Sequence, residues 1–507
     1  MSQLLVLLLA ACFLAEASED KPVRPVDPCS PEEVLPGASA PLFCSGADCE
    51  GQFQCSGDAG CTRVLILAAS VSCSGRHALL SRDLRRGLTL WAARVNLGPK
   101  VIRGPSGERI LVHLRLEDDG SQIENVRRIY AGFGETTGGD RPFALVGPFS
   151  SDLSQVAAEA TAGTGLLLVL PAASAPAIFR QGFDHIVGLL ASATSYMSDA
   201  LHRLWLRGAR SVVLASGDGE FANAVCEGAA AVAGKLGLTV LGNFVFDSWD
   251  IATKVQEAKR LKTDVFVGCG YVSEASMLLV SALALDFTPK AILLTQGAHP
   301  ELVRAVSAHN ANWVGAPVGW RPELGDACSR SGMACHTFED GADFARSYQS
   351  QFGSEPPYQS AAAAATGVLL LDAMERSQSF NSTVLRHDLI HRPSLTSFFG
   401  EEMVFEETGI RRTSSSTPFR TVQHQPLGLE FPPFERYNST SLQLLGQGRV
   451  ELLWPMPSWE EKRRWVFPCS LGHFLDIDSC KPCSAGRHRG TETLACQACG
   501  VGTFAAV

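Results

Sequence analysis

The sequence has no lysine- or arginine-rich run, and its balance is acidic: 43 basic against 52 acidic side chains, a net charge of −9. A nucleic-acid partner would want a basic face to meet phosphates, so that class of partner is excluded. Beyond the N-terminal leader, no stretch of about eighteen apolar residues is long enough to span a membrane. Several catalytic signatures are missing too. No GxSxG elbow, P-loop or GxGxxG stands between a strand and a helix. One pattern with metal-site spacing remains, HDLIH (His387 to His391), with two histidines at i and i+4. Arg392-Pro393 ends that helix at once, and no third ligand lies at a familiar distance. A metal-dependent hydrolase is therefore the alternative the sequence supports least, and no cofactor is expected.

What is present begins with LLVLLLAACFLAEA, an apolar core followed by Ala15-Glu16-Ala17, which reads as a secretory signal peptide over 1–17. Sixteen cysteines are present, and Cys12 leaves with that leader. Most of the others gather at the two ends: Cys29, Cys44, Cys49, Cys55, Cys61 and Cys73, then Cys469, Cys480, Cys483, Cys496 and Cys499. In an exported chain such clusters read as disulfide frameworks. Six cysteines allow fifteen connectivities, so the pairing of the first cluster stays open. Cys328 and Cys335 are spaced for a short surface loop. The mature count is odd, and a free Cys226 or Cys269 accounts for that as well as a truncation does. Asn381 and Asn438 head sequons for glycosylation.

From about residue 62 the chain alternates strands and helices. RVLILAAS, ILVHLRLEDDG, FALVGP, GLLLVLP, SVVLASG, TVLGNFVF, DVFVGCG and AILLTQG read as strands. Between the first two, Leu80, Leu84, Leu88, Trp91 and Val95 form one helical stripe. This order implies parallel, doubly wound sheets, and there are too many strands for one of ordinary size. The fold class expected is α/β, with two doubly wound parallel-sheet lobes joined by hinge crossings. Small disulfide-rich segments flank them. Ligands in such sheets sit beyond the carboxyl ends of strands. The stretch ALVGPFSSDLSQ lies at such a corner, where a helix N-terminus offers unpaired N–H groups to an anion.

The ordered motifs GLTLWAARVN, LEDDGSQ, LVGPFSS, LPAASAPAIF, SGDGEFA, PPYQSAAAAATGVLLLDAM and FFGEEMVFEETG extend from Gly87 to Gly409. Together they resemble the type I periplasmic-binding-protein fold, also used as the ligand-binding region of natriuretic-peptide and class C G-protein-coupled receptors. The resemblance covers about Thr62 to Gln423. It implies lobe 1 at about 62–185 and 325–395, and lobe 2 at about 186–324 and 396–425. In amino-acid-binding members the second serine after the GP turn holds the ligand carboxylate, which places that role on Ser151 beside Ser150. Ser174 matches a second hydroxyl, and Ala172 stands where a further serine or carbonyl is common. Phe221 matches an aromatic that stacks on the ligand. The acidic residue that receives the ammonium falls near Thr295-Gln296-Gly297, where Gln296 supplies no charge. Arg76, after the first strand, is a candidate for reaching an anion. Asp118-Asp119 is expected to close a strand structurally.

Residues 18–61 form an N-terminal cysteine-rich segment, 426–466 a linker and 467–507 an incomplete stalk. The repeated C-x-x-C-x-x-G of that stalk resembles ephrin-receptor-like or tumour-necrosis-factor-receptor-like units; in a cytosolic chain its spacing would signal zinc. The expected function is the non-enzymatic, extracellular ectodomain of a cell-surface receptor. It would bind an amino acid or small organic acid, dimerise, and reach the membrane through a segment downstream of this sequence. A soluble secreted solute-binding protein for transport is the alternative.

Overall fold

Two sheets, each buried on both faces, organise the chain. The computed structural model describes residues 35, 37–43, 52–55, 60–324, 337–392, 395–412, 419–426 and 440–445, with short pieces between 455 and 498. A short strand β1 (Phe53–Cys55) turns back into β2 (Cys61–Val71), and a Cys55–Cys61 disulfide joins them. The helix α1 (Ala78–Leu97) buries the whole expected stripe, from Leu80 to Val95. There follow β3 (Arg109–Asp118), α2 (Ile123–Glu135), β4 (Ala144–Val146), α3 (Ser151–Thr161), β5 (Leu168–Leu170), α4 (Pro176–Phe179) and β6 (Ile186–Ala191). All the pairings β3–β2, β2–β4, β4–β5 and β5–β6 are parallel. Successive strand residues enter different cores: Leu67, Ala69, Val146 and Val169 lie on one face, Ala68, Leu145 and Leu168 on the other.

The second sheet begins after α5 (Ser198–Leu206) with β7 (Ser211–Ser216), α6 (Glu220–Leu236), β8 (Thr239–Val245) and α7 (Ile251–Arg260). It continues with β9 (Val265–Cys269), α8 (Val272–Ala284), β10 (Ala291–Leu294), α9 (Pro300–Val306), α10 (Ala308–Ala311) and β11 (Val314–Val318). The chain then returns to the first lobe through α11 (Gly341–Phe352), α12 (Tyr358–Ser377) and α13 (Ser382–His391). Gly87 and Gly367 let α12 lie against α1: a Cβ on Gly87 would meet the Ser360 carbonyl at 2.0 Å, and one on Gly367 the Trp91 ring at 2.1 Å. A hairpin of β12 (Leu395–Ser397) and β13 (Gly400–Met403) precedes β14 (Ile410–Arg411), which pairs with β6. Finally β15 (Arg420–Pro426) adds antiparallel to β11, and β16 (Thr440–Leu444) antiparallel to β15.

This pairing corrects the expected lobe limits. Residues 186–191 and 410–411 belong to the first sheet, so that lobe extends past 185, and β14 falls outside lobe 2. Both pieces are poor in periodic signal. Gly188 interrupts β6 because the Phe179 ring sits 2.3 Å from where its Cβ would stand. β11 carries Gly315 and Pro317, which read as breakers, although all five of its residues are buried.

Cys226 and Cys269 are not free; they are bonded to each other, and Cys73 is disulfide-bonded as well. Asn381 is exposed and caps α13, its Oδ1 accepting the N–H groups of Thr383 and Val384. The leader 1–17, Asn438, the Cys328 and Cys335 pair, and the pairing of Cys480, Cys483, Cys496 and Cys499 lie outside the described residues. Among the described residues no helix is long and apolar enough to cross a membrane.

Candidate ligand cleft

GPFSS forms the corner between β4 and α3. Ser150 is the N-cap of α3, and its Oγ accepts the Leu153 N–H at 3.2 Å. Its φ of 91° is a left-handed conformation that a non-glycine residue rarely adopts, and strain of this kind concentrates at functional turns. Ser151 opens the helix, where the first N–H groups have no intrahelical acceptor and the dipole favours an anion. Its Oγ accepts the N–H groups of Ser174 at 3.3 Å and Ala175 at 3.2 Å. Those bonds fill its acceptor side. The hydroxyl proton has no acceptor among the described residues.

Ser174, after β5, shares a 3.3 Å hydrogen bond with the Tyr196 hydroxyl. Thus Ser150, Ser151 and Ser174 come together at the carboxyl end of the first sheet, each at most 1% exposed. Ala172 is half-buried nearby and adds only apolar packing.

The turn faces the second lobe. Phe149 packs edge-on against Tyr271 at 5.6 Å, and Asp152 Oδ1 accepts the Glu220 N–H at 3.2 Å. That last bond crosses the lobes to cap α6, whose own N-cap is Gly219 and has no side chain to do it. Phe221 is buried, stacked on Tyr271 at 5.2 Å and edge-on to Tyr196 at 5.4 Å. An apolar seam therefore runs between the serine turn and the second sheet.

Arg76 also crosses the lobes. It donates to Glu274 Oε1 at 2.6 Å and to the Asp218 carbonyl at 3.2 Å, and its guanidinium lies 5.4 Å from the Tyr271 ring centre. Burial opposes the charge of both partners, yet each attracts the other strongly enough to win. The guanidinium is held above its ordinary range and the Glu274 carboxyl below its own. Next to Arg76, His77 is pushed down to about 4, first by burial and then by that positive neighbour, so it is neutral at physiological pH.

Gln296 is buried and paired with α12. Its Nε2 donates to the Tyr358 hydroxyl at 3.0 Å and its Oε1 accepts Gln359 Nε2 at 2.8 Å. It helps to join the lobes, as does the buried His299–Asp83 contact at 2.9 Å. Glu274, one strand away in GYVSEAS, is with Asp152 a carboxylate that lies between the lobes.

Sequence reasoning missed Tyr271, Glu274 and Asp152. A signal for the first two was available: they follow DVFVGCG at the same end of a parallel strand that singled out GPFSS. Asp118 and Asp119 do close a strand. Asp119 accepts the Ser70 and Ser72 hydroxyls, both at 2.6 Å. In HDLIH, Asp388 accepts from Arg376 and Arg392, and both histidines are exposed. No cluster of metal-binding side chains occurs among the described residues.

Two doubly wound lobes meeting at the carboxyl ends of their strands define a class, the bilobed α/β binding proteins. The chain belongs to the periplasmic binding protein family, whose profile matches residues 67–417. Among solved structures, a leucine-binding protein of Thermotoga maritima is 19% identical, with a TM-score of 0.59 over 75% of this chain and 97% of its own. A branched-chain amino acid transporter substrate-binding protein of Streptococcus pneumoniae, in complex with isoleucine, is 16% identical with a TM-score of 0.58, over 76% of this chain and 99% of its own. A transporter solute-binding protein of R. palustris, in complex with benzoate, is 13% identical with a TM-score of 0.58, over 75% and 96%. At these identities the likeness establishes the fold.

Proposed function

We propose that the chain is an exported solute-binding protein that holds a small carboxylate between its lobes and performs no chemistry on it. The observation behind this reading is the Ser151 hydroxyl: buried at a helix N-terminus, in the turn whose Phe149 and Asp152 touch the other lobe, with no acceptor for its proton among the described residues. Ser174 and Phe221 complete the grip and the apolar wall. The solved relatives are transport binding proteins that hold leucine, isoleucine or benzoate, so delivery to a transporter is favoured over receptor signalling.

Lobe closure would couple binding to delivery. The ligand shifts the open–closed balance only by its differential affinity for the two forms. Thermal-shift screening of the purified chain against amino acids and small carboxylates tests the reading. A ligand that raises the melting temperature of the wild type should bind Ser151→Ala about 10- to 100-fold more weakly, as expected for a lost hydrogen bond to a charged group. An undiminished shift in that variant moves the site elsewhere.

A further inference from the structure

The second sheet ends at β8, which pairs with β7 on one side and with no strand among the described residues on the other. Its seven residues, TVLGNFV, contain neither a proline nor a charge, two of the usual guards of an open sheet edge. A third guard, a bulge, is present: the register shifts between Val212 and Val213 and leaves Leu241 as an extra residue. That residue is apolar and exposed, as are Val240 and Val245, the last of them 62% exposed. Trp249, just beyond the strand, is 85% exposed although its turn is fixed. Asp247 Oδ1 accepts the N–H groups of Trp249 at 2.7 Å and Asp250 at 3.2 Å. Scattered exposed apolar residues need no explanation; a row of them along an unpaired strand, closed by a held tryptophan, marks a contact surface.

The charges around β8 are sorted by end. Lys235 lies just before its start. The helix α7 runs back beside the strand, with Lys254 5.9 Å from the Phe244 ring and Leu261 against Gly242, so Arg260 and Lys262 return toward that start. All three of these basic residues are exposed. At the other end stand Asp247, which is exposed, and Asp250, which Lys254 offsets in part at 4.0 Å. A second β8 laid antiparallel brings the basic start of each strand beside the acidic end of the other, whereas a parallel one sets like charges side by side. The edge is thus complementary to itself about a two-fold axis, the commonest arrangement among oligomers of one chain. Phe221 and Tyr271, on the cleft, follow β7 and β9, so the β8 edge is a separate surface.

We propose that β8 pairs antiparallel with β8 of a second copy of this chain, joining the two second-lobe sheets into one and covering Val240, Leu241, Val245 and Trp249. The pairing does not depend on what the cleft binds. Sedimentation equilibrium of the full chain tests it. One strand pair with its flanks is small for a stable interface, so the expected result is a monomer–dimer equilibrium in the micromolar range that weakens as salt is added. Val245→Lys, at a position already exposed in the single chain, should weaken the dimer about tenfold or more, because each copy would bury an unpaired ammonium. Its melting temperature, read at a concentration where both proteins are monomeric, should match that of the wild type. Lys235→Glu combined with Lys262→Glu sets acids against Asp247 of the other copy, and should weaken the dimer and reverse its salt dependence. A chain that stays monomeric across the micromolar range overturns the proposal, even if a foreign extended peptide binds the edge. A dimer that Val245→Lys does not weaken lies on another surface and overturns it as well. A dimer weakened by Val245→Lys and indifferent to the charge reversal overturns the antiparallel direction.

Discussion

Replacing Cys226 and Cys269 together with alanine should lower the unfolding free energy of the second lobe by about 4 kcal/mol. The bond closes a loop of 43 residues between α6 and the end of β9, and the loss of denatured-state entropy on closing a loop of that size gives this magnitude. Both residues are at most 2% exposed, so the alanines also leave a small void. Cys269 precedes Gly270 and Tyr271, which makes the bond an anchor for the aromatic side of the cleft as well. Denaturant titration followed by circular dichroism reads the change, and a reductant strong enough to open the bond should reproduce it in the wild type. A loss below about 1 kcal/mol would show that the bond adds little beyond core packing.

Arg392→Leu should cost about 3–5 kcal/mol, the range for removing one partner from a buried ion pair. The Arg392 side chain is wholly buried, donates to Asp372 at 2.7 Å and to Asp388 at 3.1 Å, and fastens the end of α13 to α12. Burial already raises the Asp372 carboxyl above its ordinary range in spite of that guanidinium. Without Arg392 the carboxyl rises further and is neutralised by mild acid. The deficit between wild type and variant should therefore be largest near neutral pH and shrink as pH falls. A deficit that does not change with pH would mean that the lost packing of the long side chain, and not the stranded carboxylate, is responsible.

Most of the architecture was legible because buried parallel strands are short continuous apolar runs and the α1 stripe is strictly periodic. β6 and β11 were not, since close packing against Phe179 and a buried Gly–Pro pair place turn residues inside strands. At the cleft, the first-lobe turn was readable: a helix start after a strand needs its hydroxyls wherever the lobes are. The second-lobe partners depend on how two halves of the chain meet. No spacing rule connects Arg76 to Glu274 or Asp152 to Glu220. For the same reason the pairing of Gln296 with Tyr358 and Gln359 on α12 was not legible. Cys226 and Cys269, 43 residues apart, became a pair only when α6 packed on β9.

Hydrogen exchange with and without a stabilising carboxylate tests most directly whether both lobes hold the same solute. The amides of 147–153 in the first lobe and of 269–274 in the second should gain protection together, and Ser151→Ala should remove both gains. Protection confined to one lobe, or appearing at neither segment, would contradict a solute gripped between them.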